Sequence, residues 1–206
     1  MKKLFLILLA LLFIVSCCPK NIGNNSENAS LQSQWIPLFN KRNLDNWFVR
    51  GKAKWFVKDG IMVGEGGMGH IYTNIEATDF EIEGTFRISD NGNSGLYFRA
   101  NPPKDNPDGW PNGYEAQIDN HQKAHTGWLW LPGKPTAKAK KLITKDNKWF
   151  TMKVQMIGDH LKIWVNNELM TEYTDSKFKK GHFAIQGHNP GQKIEIKKLV
   201  YRDLSK

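Results

Sequence analysis

Cysteine is almost missing from these 206 residues: there are two, Cys17 and Cys18, side by side near the start. No disulfide framework can brace the rest of the chain, so its fold must rest on an unaided apolar core. Long apolar runs are scarce too. The one candidate, Leu4 to Val15, is too short to span a bilayer comfortably, and it follows Lys2 and Lys3 as a signal-peptide core does. No stretch keeps a long 3.6-residue period, which argues against a helical domain. Gly-rich phosphate loops, a Ser-centred elbow and a Cys nucleophile are lacking, and no internal repeat is evident.

What is present at the front is "IVSC", Ile14 to Cys17, which resembles a bacterial lipobox. The expectation is a lipoprotein signal peptide over residues 1–16, a lipid on Cys17, a flexible polar tether over 17–34, and one domain over 35–206. A plain secretory signal cleaved nearby is the alternative. Either places the protein in the bacterial cell envelope, and the first gives it the membrane as a partner, on the periplasmic side or as an outer-membrane lipoprotein. Cys18, not Asp, follows Cys17, so a simple inner-membrane retention signal is absent.

The formal charge is +9, and losing Lys2 and Lys3 with the leader leaves 27 basic against 20 acidic residues. Such a balance can mark nucleic-acid binding, but an exported chain rarely meets nucleic acid and no such motif is present. No nucleic-acid partner is expected. The densest basic stretch, Lys134 to Lys148, reads as a solvated loop.

From Trp35 onward the pattern is strand and turn. "KWFVKDGIMVGEGG" sets two apolar runs around Lys58-Asp59-Gly60, a hairpin signal. "DFEIEGTFRIS" alternates Phe80, Ile82, Phe86 and Ile88 with Glu81, Glu83, Thr85 and Arg87. Later strands are joined by Gly158-Asp159 and Asn166-Asn167. Many short strands at regular spacing predict an all-β fold, most simply a two-sheet antiparallel jelly-roll sandwich.

Three strands gather polar groups on one alternating face. "GYEAQID" sets Glu115, Gln117 and Asp119 opposite Tyr114, Ala116 and Ile118. "NSGLYFRA" sets Tyr97 and Arg99 opposite Leu96 and Phe98. "HFAIQGHN" sets His182, Ala184, Gln186 and His188 opposite Phe183 and Ile185. One side of most antiparallel sheets simply faces water. Here the polar sets favour Glu, Gln, His, Arg and Tyr, and the neighbouring loop "NPPKDNPDGWPNG" has the Gly, Pro and Trp of an active-site rim. His121 and His125 are four apart in a loop, so their spacing does not by itself bring them together. With Glu115 and Asp119 nearby, a divalent ion there is the one metal expectation. His70 and His160 read as loop residues.

The sequence resembles the 3-keto-disaccharide hydrolase family, whose members are described as 3-keto-glucoside 1,2-lyases and 3-keto-2-hydroxyglucal hydratases. The matching stretches are "PLFNKRNLDNW", "WFVKDGIMVGEGG", "DFEIEGTFRIS", "NSGLYFRA", "GYEAQID", "TGWLW" and "GHFAIQGHN", in that order over nearly the whole domain. Two departures stand out. Asn40-Lys41-Arg42-Asn43-Leu44 replaces the usual "NGKDL", and Trp128-Leu129-Trp130 replaces a common "AIY".

The resemblance implies a concanavalin-like, LamG-like fold and a testable chemistry. A ketone at C3 acidifies the C2 proton; a base removes it, the C1 oxygen leaves, and water adds to the enone. Glu115, at the family's "YE", is expected to do acid–base work or clamp a hydroxyl. His188, in "Q-x-H", is the expected base. Arg99 is placed on the C3 oxygen or the sugar hydroxyls, with an ion pair to Glu115 or Asp119 as its alternative. Asp119 and Gln117 would orient these groups or bind hydroxyls, with Gln186 and Tyr97 as further binding residues, although Tyr97 could be core. Trp110, Trp128 and Trp130 would stack on a sugar ring, with at least one of them plain core. A 3-keto substrate implies an upstream sugar oxidoreductase.

Two other functions compete: a non-catalytic saccharide-binding module and an ordinary glycosidase. Glu115 and Asp119, four apart on one strand, stand roughly 13 Å apart at about 3.3 Å per residue. Glycosidase pairs need about 5–9.5 Å. Glu81 and Glu83, at about 7 Å, are the rival pair, unless they are two solvated acids on a sheet.

Overall fold

In this computed structural model, residues 34–205 are described. The lipobox, Cys17 and nearly all of the tether lie outside that range. Fifteen strands follow in chain order: β1 (Ile36–Pro37), β2 (Trp47–Gly51), β3 (Lys54–Lys58), β4 (Ile61–Glu65), β5 (Gly69–Ala77), β6 (Phe80–Ile88), β7 (Asn93–Asn101), β8 (Asn112–Asp119), β9 (Leu129–Leu131), β10 (Lys134–Ala137), β11 (Phe150–Ile157), β12 (His160–Val165), β13 (Glu168–Thr174), β14 (Gly181–Gly187) and β15 (Lys193–Asp203). They build two antiparallel sheets. One has seven strands in the order β10-β9-β8-β7-β14-β5-β2. The other has eight, in the order β13-β12-β11-β6-β15-β4-β3, with β1 paired to β15.

The turns follow from local chemistry. Asp59 and Gly60 have φ of 51° and 73°, and Asn166 and Asn167 have 47° and 65°. Positive φ at both central residues matches the right-handed twist of the flanking strands, and Asp, Asn and Gly tolerate it best. At the third hairpin Gly158 takes φ 60° at the first central position. The "KPTA" segment of the basic stretch forms β10 rather than loop.

Alternation then sorts the side chains. Phe80, Ile82, Phe86 and Ile88 of β6 pack against Leu96 and Phe98 of β7, Tyr114, Ala116 and Ile118 of β8, and Phe183 and Ile185 of β14 in one continuous core. Each fully buried large apolar side chain contributes roughly 1.5–3 kcal/mol, which replaces the missing disulfides. Because that face of β7, β8 and β14 is core, the opposite face of the seven-stranded sheet carries their polar residues.

Candidate active site

The registers line those polar residues up across the sheet. Trp130 lies opposite Glu115, Glu115 opposite Tyr97, Tyr97 opposite Ala184, Ala184 opposite Tyr72, and Tyr72 opposite Phe48. A second row runs parallel: Gln117 opposite Gly95, then Gln186 opposite His70, and His70 opposite Arg50. A cavity of about 320 Å³ opens over the β9–β8–β7–β14 part of these rows. Its floor includes Tyr97, Glu115, Gln117 and Gln186, and Trp110, Trp130 and His188 stand around it.

Glu115 is 7% exposed, and burial pushes its carboxyl up to about 8, against a smaller opposing effect from the Tyr97 hydroxyl. Burial also holds that hydroxyl well above its ordinary range, with the Glu115 charge adding to it. Gln186 Nε2 donates to the Tyr97 hydroxyl at 3.2 Å, so Gln186, Tyr97 and Glu115 form a chain across three adjacent strands. Gly95 makes room for the carboxyl. A Cβ there would run into the Glu115 carboxyl and force it to move. The acid is therefore seated over a bare stretch of β7, beneath the cavity.

His188 follows the end of β14. Its Nδ1 pairs with Asn189 Oδ1 at 2.7 Å. With that oxygen accepting, Nδ1 carries the hydrogen and Nε2 presents a lone pair, the arrangement of a base. The Trp110 ring lies 5.7 Å from the His188 ring and 5.8 Å from that of His70. Trp130 lines the cavity with its ring, and its Nε1 is buried with no partner among the described residues.

Other expected site residues lie elsewhere. Arg99 does not reach the cavity. It sits at a β-bulge with φ 46°, which breaks the alternation that paired it with Tyr97. Its guanidinium instead donates to the carbonyls of Thr78, Gly158 and Phe178 and to Asp79 Oδ1 at 2.7–3.0 Å, tying four segments together. Its ion pair is with Asp79, not Glu115 or Asp119. Asp119 is a turn cap: its Oδ1 accepts from the backbone N–H of His121 and Gln122 at 2.7 and 2.9 Å. That turn delivers Gln122 to the cavity rim, a residue the alternating pattern could not reveal. Trp128 is buried outside the cavity lining. His70 is no loop residue but a fully buried member of β5, and His160 opens β12.

The rival acid pair is also accounted for. Glu81 accepts from Gln155 Nε2 at 2.8 Å and from Arg202 Nε at 2.6 Å, and Glu83 accepts from Lys198 Nζ at 2.9 Å, all on the eight-stranded sheet. They are structural ion pairs away from the cavity.

His121 and His125 do not converge. His125 turns to the Thr126 carbonyl and the Trp128 ring, whereas His121 Nε2 meets Asp146 Oδ2 at 2.6 Å and lies 4.0 Å from Asp90 Oδ1. Asp90, His121 and Asp146 could each offer one ligand atom within 4.8 Å of the others. The donor types suit a divalent cation, but Asp146 already accepts from Asn120 and none of the three borders the cavity. Such an ion would not touch a substrate held there.

An all-β sandwich with a recessed acid and tryptophan walls defines a carbohydrate-handling domain. Residues 34–204 match the 3-keto-alpha-glucoside-1,2-lyase-like domain, and the chain belongs to that family. Among solved structures it is similar to a Parabacteroides distasonis protein provisionally named a glycosyl hydrolase, with 20% identity over 90% of this chain and 99% of that one, and a TM-score of 0.69. It is also similar to the carbohydrate-binding module CBM66 of Bacillus subtilis (23% identity, 78% and 98% covered, TM-score 0.63). A Bacillus subtilis protein of unknown function with a galectin-like fold shares 12% identity over 83% and 95% of the two chains, with a TM-score of 0.64. No curated protein matches the chain.

Proposed function

We propose that the cavity cleaves 3-keto-glycosides by β-elimination followed by hydration, a net hydrolysis. One observation carries this reading. Among the described residues, Glu115 is the only carboxylate that borders the cavity. An ordinary glycosidase needs two carboxylates about 5–9.5 Å apart. Elimination from a 3-keto sugar needs one acid, one base and donors for an oxyanion, because the ketone has already made the C2 proton labile.

The residues divide accordingly. His188 Nε2 takes the C2 proton, and the electron pair moves onto the C3 oxygen as an enolate. The Gln117 amide Nε2, which lines the cavity and has no bond within the protein, is the donor available to that oxygen. Collapse of the enolate forms the C1–C2 double bond and breaks the C1–O bond. Glu115, protonated below about pH 8, gives its proton to the departing oxygen. Water then adds its oxygen to C1, C2 regains a proton, and Glu115 is reprotonated. Trp110, 48% exposed beside His188, offers a flat face for the sugar ring.

The substrate must come from oxidation of a sugar at C3, so an upstream oxidoreductase belongs to the same reading. The "IVSC" stretch supports lipid anchoring through Cys17 in the cell envelope. The test is to incubate the domain with 3-keto-trehalose, a 3-keto-β-glucoside and their unoxidised parents, following release of the sugars by NMR in deuterated water. Turnover of the keto sugars alone, with deuterium at C2, is expected. Binding without turnover would instead make this a saccharide-binding module, and turnover of the parents an ordinary glycosidase.

A further inference from the structure

The β14–β15 connection, residues 188–192, carries His188 and leaves the cavity sheet for the other one. It runs beside the β6–β7 connection, residues 89–92, because β14 neighbours β7 in one sheet and β15 neighbours β6 in the other. Asn189-Pro190-Gly191-Gln192 closes a β-turn. The Gln192 N–H donates to the Asn189 carbonyl at 3.2 Å, and Gly191 takes φ 83°. Proline at the second position and a glycine of positive φ at the third mark a type II turn, so local chemistry alone stiffens this segment.

Side chains then fasten the turn to its neighbour. Gln192 Oε1 accepts from the Asn189 N–H at 3.3 Å, which closes the turn a second time, and from the Asn93 N–H of β7 at 3.0 Å. Gln192 Nε2 donates to the Asn91 carbonyl at 2.8 Å. One residue on, the Lys193 N–H donates to Ser89 Oγ and the Ser89 N–H donates to the Lys193 carbonyl, both at 2.9 Å. These bonds fix the backbone of an exposed residue, Asn189, whose amide oxygen meets His188 Nδ1 at 2.7 Å.

A neutral imidazole can carry its hydrogen on either nitrogen, and only the form with a bare Nε2 can take a proton through that atom. His188 borders the cavity and Asn189 does not, so the amide touches the ring without touching a ligand held there. The other groups around the ring do not make this choice. Trp110 stands against it as an aromatic neighbour at 5.7 Å. Burial lowers the imidazole of His70 to about 4, so it stays neutral, Glu65 and Lys193 share a small cleft with His188, and Glu115 borders the same cavity. Among the described residues, the hydrogen bond to the His188 ring is the one from Asn189.

We infer that Asn189, held by the Asn189–Gln192 turn, is a positioning residue that fixes His188 with Nδ1 protonated and Nε2 bare. Its value to the reaction rests on the elimination reading above. The first test needs no substrate. Long-range 1H–15N spectra at about pH 8.5, where an ordinary imidazole is neutral, report which ring nitrogen carries the hydrogen, and the His188 signals are those that vanish in His188→Gln. Wild type should show Nδ1–H, and Asn189→Ala should move to mainly Nε2–H, the tautomer that a free imidazole prefers. A wild-type ring protonated on Nε2, or an Ala variant that keeps Nδ1–H, overturns the inference.

The second test is kinetic. On 3-keto-trehalose, Asn189→Ala should lower kcat roughly 10- to 100-fold and change KM by less than about twofold. Asn189→Asp restores an acceptor of the same reach, so it should recover kcat, and its charge should move the acid limb of the kcat/KM profile up by about one pH unit. Equal losses of kcat in both variants with an unmoved limb would mean that the side chain serves only the turn, and would overturn the inference. If the wild type turns over no keto sugar, the elimination reading fails by itself, and the spectra alone decide whether Asn189 sets the ring.

Discussion

Each of the two sheets turns a polar face outward, and the two faces are finished differently. On the eight-stranded sheet, Glu81 is met by Gln155 and Arg202, Glu83 by Lys198, Arg87 by Glu195, and Glu172 by His160 and Lys162. On the seven-stranded sheet, Glu115 has no cation beside it, and Gln186, His70, Tyr72 and Trp130 end in atoms that nothing in the fold matches. Alternation makes these faces look alike in sequence. Their hydrogen bonds separate them: one face pairs its charges, and the other leaves donors and acceptors unmatched.

The largest break in this contrast comes from the unmatched side. Glu115→Ala and His188→Ala should each lower kcat/KM on a 3-keto-glycoside by about 100- to 10,000-fold, the usual range for losing an acid or base, while circular dichroism stays unchanged. Wild-type rates in either variant would remove that residue from the mechanism. Arg99→Ala should act through the fold instead. It strands three carbonyls and Asp79, and denaturant unfolding should show a loss of about 3 kcal/mol.

Glu115→Gln sharpens the comparison through pH. The folded carboxyl keeps its proton up to about pH 8, whereas the unfolded one loses it near 4.5. Its stabilising contribution is therefore full below pH 4.5 and declines as pH rises towards 8. Relative to wild type, the Gln variant should gain up to about 4 kcal/mol in stability between pH 5 and pH 8.5, read from melting curves at each pH. Wild-type kcat/KM should fall above about pH 8 as the acid loses its proton. The smallest effect belongs to the paired face. Lys198→Ala, which removes a half-exposed partner of Glu83, should change stability by less than about 0.5 kcal/mol and leave turnover alone.

Much of the fold is legible before any coordinates because its signals are local. Asp59-Gly60, Gly158-Asp159 and Asn166-Asn167 announce their hairpins through the φ they tolerate, and "GYEAQID" announces which of its side chains share a face. The same rule misleads at Arg99, where one bulge ends the period of two and redirects the guanidinium to the rim of the sandwich. Asp119 has the right parity for the cavity, yet the backbone of its own turn claims its carboxylate. His70 lies beside "GEGGMG", which reads as a loop, and its place under Trp110 depends on a connection 32 residues further along that crosses three strands. Gln122 reaches the cavity only because its turn folds back. Long-range docking and backbone capture of polar side chains are the two things that periodicity does not encode.

The short strand β1 pairs Ile36 with Tyr201 at the end of β15, on the eight-stranded sheet, whereas the cavity opens on the outer surface of the other sheet. The described chain thus enters the sandwich on the sheet opposite the mouth of the cavity. The end of the domain that joins the preceding residues and the end that admits a ligand therefore belong to different sheets, so a change at one need not disturb the other.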